Sequence, residues 1–310
     1  VDFLCRMFGE EYREDLSDIQ QTYFQLAFAR KPEYMERSTD TEFSIQNYRE
    51  ADKRLAAYER ISAKAEAILN KLDKEAVPAF FQLVYYNVKG AALVNQMTLN
   101  AQKNRLYASQ KRSAANLLRS RVKAYGDSLE IITKRYNSLL NGKWQGMMSL
   151  IHGGARSFER ARTDSVSLSP VPTLGVSCEA ADNMKGVSNV HVIPCFNKYL
   201  PQSYYVDVFN SGMGKLKWKA VPSDPWILVN KKSGATYSEE RINVSVDWSK
   251  VPVGESVSGS IDISSGSGEK QTVFVSVFNP ETPSVEELKG LYVENNGYVS
   301  IGATGFHRKR

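Results

Sequence analysis

The spacing of apolar residues changes once along this chain, near residue 170, and this change limits the possible folds more than any other feature. Before it, apolar residues recur every three or four positions, as in Ile61, Ala65 and Ile68. That period places them on one face of an α-helix. After it, apolar and polar residues alternate, as over 242–248, which is typical of half-buried β-strands. A chain of 310 residues is long enough for two domains, and we expect an α domain followed by a β domain.

The region 36–165 is predicted to be an antiparallel helical bundle. Residues 79–97 are rich in aromatic and aliphatic side chains and are expected to form a buried central helix. A further helix is expected from about Leu106 to residue 125, stopping near Gly126, and another over 128–140. Short connections between such helices favour antiparallel packing.

Residues 176–280 are predicted to form an immunoglobulin-like β-sandwich, after a linker over 166–175. Some seven short alternating segments are separated by turn clusters rich in Gly, Ser and Pro. Trp218, Trp226 and Trp248 lie on or beside these segments. We expect them to anchor the core, and an exposed platform for a sugar is the alternative.

Both ends of the sequence suggest a piece of a longer protein. The chain opens on Val1, without Met. The tail, 281–310, contains a predicted short helix over 285–289 and a predicted strand over 298–301 with no partner after it. We therefore expect this tail to lead into a further domain.

Recognisable catalytic and metal-binding motifs are missing from the sequence. It has no glycine-rich phosphate loop before a helix and no Gly-x-Ser-x-Gly nucleophile elbow. Cys5, Cys178 and Cys195 are expected to be buried thiols, and a disulfide between Cys178 and Cys195 is the alternative. The three histidines are expected to be surface or loop residues. No metal and no cofactor are expected. No apolar run reaches ~18 residues, so no membrane span is expected.

Basic residues are concentrated in one part of the chain. Residues 76–165 carry 14 Lys or Arg against 4 Asp or Glu. Such a field attracts acidic ligands, although a solvated helix face is the simpler interpretation. The charge is not accompanied by an RNA- or DNA-binding signature, so we expect no nucleic-acid partner.

The most polar stretch, 102–116, supplies the candidate binding residues. Arginine grips a carboxylate with two parallel hydrogen bonds, and amides and a phenol beside it add further polar contacts. On a helix beginning at Leu106, this set would suit a sugar that carries a carboxylate. The predicted substrate-binding residues are Asn104, Tyr107, Gln110 and Arg112. An interhelical or interdomain hydrogen-bond network is the alternative.

Short motifs from both halves of the chain follow one another in a characteristic order. They are Arg30–Glu33, Ala79–Val84, Asn104–Asn116, Tyr136–Asn137, Gly142–Trp144, Met147–Met148, Asp224–Trp226, Val246–Trp248 and Asn279–Pro280. Together they resemble the helical region of glycoside hydrolase family 115 and the sandwich that follows it. The resemblance extends over nearly the whole chain.

This resemblance implies a function for the longer protein. Members of the family are xylan α-glucuronidases, which remove glucuronic acid or its 4-O-methyl form by inverting hydrolysis. Their catalytic acidic residues lie in a (β/α)8 barrel. In this chain, residues 1–35 would be either the end of that barrel or the beginning of the helical bundle. No catalytic residue is therefore expected in this chain. The implied role is a non-catalytic portion that supports the barrel, its substrate pocket or a dimer interface.

The resemblance also implies partners and a location. Glucuronoxylan, or oligosaccharides decorated with glucuronic acid, would be bound by the longer protein, which is expected to be periplasmic or extracellular. A homodimer is possible in such a family. The alternative function, drawn from the sandwich, is a carbohydrate-binding or adhesion module without hydrolase activity. This alternative requires exposed aromatic residues such as Trp226, Tyr204 or Tyr205.

Overall fold

The computed structural model describes residues 1–35, 40–150, 161–180 and 190–302. The chain divides into two compact units. The first comprises Val1–Ala108 and Ala114–Val166, and the second comprises Ser109–Ser113 and Ser167–Arg310. The first unit is helical and the second contains two β-sheets, so the predicted order of α followed by β is confirmed.

The described residues of the first unit form six α-helices. They are α1 (Asp2–Phe8), α2 (Arg13–Ala29), α3 (Glu50–Leu69), α4 (Val77–Phe80), α5 (Tyr86–Ser109) and α6 (Ala114–Gly142). Short 3₁₀ turns cover Glu10–Tyr12 and Pro32–Tyr34. A π-helical turn over Phe81–Tyr85 joins α4 to α5.

The largest apolar cluster of this unit is shared by several helices. Ile61, Ala65 and Ile68 on α3 are buried in it, which confirms the helix face predicted from their spacing. Leu16 and Ile19 on α2 belong to the same cluster. The predicted central helix is also found, as the buried segment that runs through α4, the π turn and α5.

A buried guanidinium holds the end of α2. Arg54 on α3 donates from Nη1 to the carbonyl oxygen of Leu26 (3.0 Å) and from Nη2 to that of Arg30 (2.9 Å). The last carbonyls of a helix have no partner within the helix. Arg54 Nε donates to Oδ1 of Asn95 on α5 (2.7 Å), so one side chain joins three helices.

The helix predicted from Leu106 to residue 125 is wrong at both ends. Leu106 lies within α5, and α6 continues past Gly126. A buried glycine costs a helix only about 1 kcal/mol relative to alanine, so Gly126 does not stop it. The true break is at Lys111, which has a left-handed backbone (φ 57°) without the glycine that usually signals one.

The second unit is a two-sheet sandwich. Its described strands are β1 (Leu174–Cys178), β2 (Val190–Val192), β3 (Phe196–Asn197), β4 (Tyr204–Asn210), β5 (Leu216–Pro222), β6 (Ile227–Val229), β7 (Ser233–Thr236), β8 (Glu239–Val246), β9 (Gly254–Ser265) and β10 (Lys270–Asn279). One sheet has the order β1-β4-β8-β6. The other has the order β2-β10-β9-β5-β7, and β3 also pairs with β10. β2 and β3 run parallel to β10, and the other pairs are antiparallel.

Alternating side chains of both sheets form one apolar core. On β5, Leu216, Trp218 and Ala220 are buried, whereas Lys217 and Lys219 are exposed. This is the alternation that the sequence predicts for a sheet with one buried face. The predicted sandwich is therefore confirmed.

Several local expectations in the second unit are not met. β1 begins at Leu174, inside the segment predicted to be a linker. Residues 285–289 form turns instead of a helix, and the strand predicted over 298–301 is reduced to a bridge between Asn295 and Tyr298. The 285–289 segment is exposed except at Leu288, and five residues are too few to form a stable helix without extensive packing.

The cysteines and one histidine also refine the expectations. Cys5 and Cys178 are buried as predicted, whereas Cys195 is only half-buried, and all three are free thiols. His191 was expected at the surface or in a loop, but it is buried on β2, where its Nε2 lies 2.8 Å from Oε1 of Gln271. The polar partner explains how the ring is accommodated. His152 and His307 lie outside the described residues.

Replacement of one core leucine tests the assigned core of the first unit. Leu99 on α5 is fully buried, so Leu99→Ala should destabilise the unit by about 2–5 kcal/mol through lost apolar contact and a residual cavity. The matched control is Leu117→Ala on α6, where half of the side chain is exposed and the effect should stay within about 0.5 kcal/mol. Urea unfolding followed by circular dichroism measures both. Equal effects would contradict the assigned core.

Candidate functional site

The four residues predicted to bind substrate do not share one helix. Asn104 and Tyr107 lie on α5 in the first unit, whereas Gln110 and Arg112 lie in the turn that separates α5 from α6 and belong to the second unit. All four side chains are buried, and at most 4% of any of the four residues is exposed. The positions of their polar atoms therefore decide what they can do.

Asn104 is hydrogen-bonded on both sides of its amide. Its Nδ2 donates to the carbonyl oxygens of Ala115 (2.8 Å) and Asp164 (3.0 Å), and its Oδ1 accepts from the backbone N–H of Asp164 (2.8 Å). Asn116 holds Val166 in the same manner, through one bond donated and one accepted, each of 3.0 Å. These two amides tie the irregular segment after residue 160 to the helices.

Gln102, two residues before Asn104 on α5, holds the segment after residue 39. Its Oε1 accepts from the backbone N–H of Thr41 (2.9 Å) and from the Thr41 hydroxyl (2.8 Å). Its Nε2 donates to the carbonyl oxygens of Thr41 (3.2 Å) and Phe43 (3.1 Å). Tyr107 is buried nearby on the same helix, with Nζ of Lys103 5.4 Å from its ring centre.

Arg112 is the centre of a buried charged cluster in the second unit. Its Nε donates to Oε1 of Gln110 (2.6 Å), and its Nη1 donates to Oδ2 of Asp207 (3.2 Å) and Oε2 of Glu239 (3.1 Å). The guanidinium also lies 4.5 Å from the ring centre of Phe209. The Asn104 amide, Oε1 of Gln110, and Nε and Nη1 of Arg112 are thus directed at protein partners.

A second guanidinium completes this cluster. Asp207 on β4 is the register partner of Arg241 on β8. Arg241 donates from Nε to Oδ1 (2.7 Å) and from Nη2 to Oδ2 (3.1 Å) of Asp207, in the bidentate geometry that arginine favours. Its guanidinium carbon lies 3.6 Å from the ring centre of Tyr205. The sequence offered no signal for this pairing, because the contact depends on strand register.

The surroundings of Asp207 keep its carboxyl group ionised. Burial opposes the charge, but the hydrogen bonds and positive charges of Arg241 and Arg112 outweigh it and hold the pKa of Asp207 below its ordinary value of 3.8. An acid that is ionised at neutral pH cannot donate a proton as a general acid. The cluster is therefore suited to holding strands and a turn together, and not to acid catalysis.

These contacts match the alternative that the sequence left open, an internal hydrogen-bond network. Buried polar groups in proteins are normally satisfied in this way. A substrate-binding role for Asn104, Tyr107, Gln110 and Arg112 stays a prediction.

The aromatic residues of the sandwich are mostly unsuited to form a sugar platform. Trp218 and Trp226 are buried, Trp248 packs half-buried against the core, and Tyr205 is buried. The Trp218 indole donates to Oε2 of Glu240 (2.9 Å). Tyr204 is half-buried and packs on the same core.

A groove in the second unit exposes other tyrosines. It has a volume of about 660 Å³ and is lined by residues 199–202 together with parts of 285–300. Tyr292 and Tyr298 are more than a third exposed within it, and Tyr199 is half-buried. The sequence did not single out these three tyrosines, because they come from segments that are far apart in the chain.

The described residues contain no cluster of three or more His, Cys, Asp or Glu side chains that could hold a metal ion. None of their helices is long and apolar enough to cross a membrane.

Comparison with known proteins gives a weak and partial likeness. No protein-family model matches the sequence, and no curated protein matches it. Among solved structures, a family GH115 4-O-methyl-α-glucuronidase with specificity for decorated arabinogalactans is similar, with a TM-score of 0.44 and 17% identity over 90% of this chain. The chain spans 39% of the length of that protein.

Two further structures are similar to about a third of the chain. A Bacteroides ovatus GH5 xyloglucanase, in complex with a XXXG heptasaccharide, matches 36% of this chain and 20% of its own, with a TM-score of 0.25 and 10% identity. A FixG-related protein from Vibrio parahaemolyticus matches 36% of this chain and 98% of its own, with a TM-score of 0.25 and 9% identity.

Loss of the Arg112 guanidinium should destabilise the second unit. Arg112→Ala removes one of the two cations that hold buried Asp207 and leaves Gln110 without its partner. Because Arg241 remains, we expect a loss of about 3 kcal/mol, at the lower end of the range for broken buried ion pairs. Arg119→Ala, at an exposed position on α6, is the matched control and should change stability by less than about 0.5 kcal/mol. Urea unfolding measures both variants, and an equally small effect of Arg112→Ala would contradict the cluster.

The same cluster should make stability depend on acid. Since the folded-state pKa of Asp207 lies below its ordinary value, the unfolded state binds more protons as the pH falls through 4. The stabilisation is fully present above that pH and is lost as the pH falls through the folded-state pKa. Asp207→Asn should therefore flatten the decline in unfolding free energy between pH 5 and 3, whereas Asp73→Asn, at an exposed position, should not. Urea unfolding at a series of pH values distinguishes the two.

Proposed function

We propose that this chain is the non-catalytic helical and sandwich portion of a glycoside hydrolase of the xylan α-glucuronidase type. Its role is to support the catalytic barrel of a longer protein. The family part of the proposal is supported by the ordered motifs of both halves, from Arg30–Glu33 to Asn279–Pro280. The fold, helices followed by a sandwich, is the one that this resemblance implies.

The observation that carries the non-catalytic role is the internal use of the polar stretch 102–116. Its amides and its guanidinium hold irregular segments and strands through bonds of 2.6–3.2 Å. Inverting glycoside hydrolysis needs one carboxyl group that carries a proton and a second one roughly 6.5–9.5 Å away. The most deeply buried carboxyl group of the cluster, that of Asp207, is held ionised by two guanidiniums and is unsuited to the first task.

The longer protein would then supply the chemistry. On this proposal its barrel carries the acidic residues, and its substrate is glucuronoxylan or a related oligosaccharide decorated with glucuronic acid. The protein would work in the periplasm or outside the cell, where such polysaccharides are met. A homodimer through this portion is part of the same proposal.

A carbohydrate-binding module is the second candidate. The tyrosine groove of the sandwich favours it, because Tyr292 and Tyr298 present partly exposed rings beside polar side chains. Aromatic faces and a few polar groups are the usual composition of small-molecule sites. The two candidates differ in whether a protein containing this chain hydrolyses anything.

Release of glucuronic acid tests the proposed function. The 310-residue chain and the longer protein that contains it are each incubated with glucuronoxylan and with a glucuronic-acid-decorated arabinogalactan, and the released acid is measured. We expect release by the longer protein and none by the chain alone. Comparable release by the chain alone would overturn the non-catalytic role, and no release by the longer protein would overturn the hydrolase assignment.

A further inference from the structure

A pocket in the first unit is lined by none of the four predicted substrate-binding residues. Its volume is about 300 Å³, at the lower end of the range for small-molecule sites. It is lined by α2, the Pro32–Tyr34 turn, α5, α6 and the segment 148–150. Two of the motifs singled out in the sequence contribute to it, through Glu33 and Met148.

Gly90 lines this pocket, and packing among the described residues does not explain it. The residue lies inside α5, where glycine lowers helix stability relative to alanine. Apart from the adjoining backbone of its own helix, no atom of the described residues lies within 4 Å of a Cβ atom added at Gly90. Among the described residues, the missing side chain therefore gives no helix a closer approach. What it does provide is open space at the pocket wall.

The backbone next to the pocket is unusual as well. The π-helical turn Phe81–Tyr85 directly precedes Tyr86 and Asn87, both of which line the pocket. Asn87 Nδ2 donates back to the carbonyl oxygens of Gln82 (3.4 Å) and Leu83 (3.2 Å) in this turn. Single π turns inside α-helices are rare and are found frequently at functional sites. This observation is independent of Gly90.

The lining has the composition of a site for an uncharged amphipathic ligand. Tyr23 and Tyr86 contribute aromatic rings, and the Tyr86 hydroxyl lies 3.1 Å from Oγ1 of Thr133, which fixes the ring. Leu129 and other aliphatic residues complete an apolar wall. The Glu33 carboxylate is exposed at this pocket, and it interacts electrostatically with Tyr23.

The charge of the lining residues limits the class of ligand that this pocket can bind. The described residues that line the pocket include no Lys or Arg, so a uronate or another anion would meet only the negative charge of Glu33. A neutral pyranose fits better, because its C–H face can pack on a tyrosine ring and its hydroxyls can donate to the carboxylate. Hydrogen bonds to an ionised acceptor are stronger than those between neutral groups.

We propose that the pocket formed by Tyr23, Glu33, Tyr86 and Gly90 binds a neutral pyranose unit of an oligosaccharide. The inference rests on the proposed function, because the substrate of a polysaccharide hydrolase contains such sugar units. The pocket would hold an undecorated sugar of the chain, while the uronate is processed elsewhere in the longer protein. Binding here needs no catalytic residue and is a property of this chain.

Binding of xylohexaose to the full 310-residue chain tests the proposal. Isothermal titration calorimetry should detect saturable binding of xylohexaose and none of glucuronic acid at the same concentration. Gly90→Leu should weaken xylohexaose binding at least tenfold, because the new side chain occupies the pocket. Glu33→Gln should weaken it severalfold through loss of the charged acceptor. The matched control, Ala124→Leu at an exposed position of α6, should bind as the unchanged chain does.

Thermal unfolding of a smaller substitution, Gly90→Ala, separates a loss of binding from a loss of folding. Gly90→Ala should raise the midpoint of thermal unfolding, since alanine favours the helix and has room, and it should weaken xylohexaose binding in part. This variant shows a loss of binding without a loss of folding, should Gly90→Leu fail to fold.

Three results would overturn the inference. They are the absence of xylohexaose binding, binding that Gly90→Ala and Gly90→Leu leave unchanged, and binding of L-arginine instead of the sugar at this pocket. None of these results bears on release of glucuronic acid by the longer protein. Failure of the pocket and failure of the proposed function are therefore distinguishable.

Discussion

The burial of the middle of helix α5 on all its sides is the constraint on which the first unit depends. Residues 91–95 are buried in succession, which a helix with one side in water does not show. A helix in this position cannot leave its polar side chains to solvent. Gln102 and Asn104 therefore bind irregular backbone, at Thr41 and at Asp164. The irregular segments are held in place by side chains of the central helix, since they have no secondary structure of their own there.

The second unit also satisfies its buried polar groups from within the chain, and there the groups are charged. A carboxylate at Asp207, on a strand buried along nearly its whole length, would be costly alone, and two guanidiniums compensate it. One comes from the neighbouring strand and the other from Arg112 in a turn distant in sequence. Gln110 and Arg112, whose chemistry suggested a binding site, thus act as hydrogen-bond and ion-pair partners inside the second unit. Residue type alone does not distinguish these uses, because both require strong hydrogen-bonding groups.

What the sequence could predict follows from which interactions are local. Helix and strand periods are written in neighbouring residues, so the face of Ile61 and the alternation around Trp218 were predictable. The break at Lys111 was not, because a residue other than glycine rarely adopts the left-handed backbone found there. The pairing of Asp207 with Arg241 was equally unpredictable, since strand register is a property of the whole sheet. The continuity of α6 through Gly126 depended on burial, which single-sequence signals do not report.

Gly90 differs from the polar residues of α5 described above. Asn95, Gln102 and Asn104 are explained by hydrogen bonds inside the chain. At Gly90, no atom of the described residues beyond the adjoining helix backbone would contact an added Cβ atom, and a π turn precedes it in the same helical segment. Natural helices keep such features against their stability cost mainly where function uses the space or the geometry. An internal role for the polar residues and a ligand role for the pocket are therefore compatible. The first concerns hydrogen-bonded groups, and the second concerns a pocket wall where no contact of the described residues accounts for the glycine.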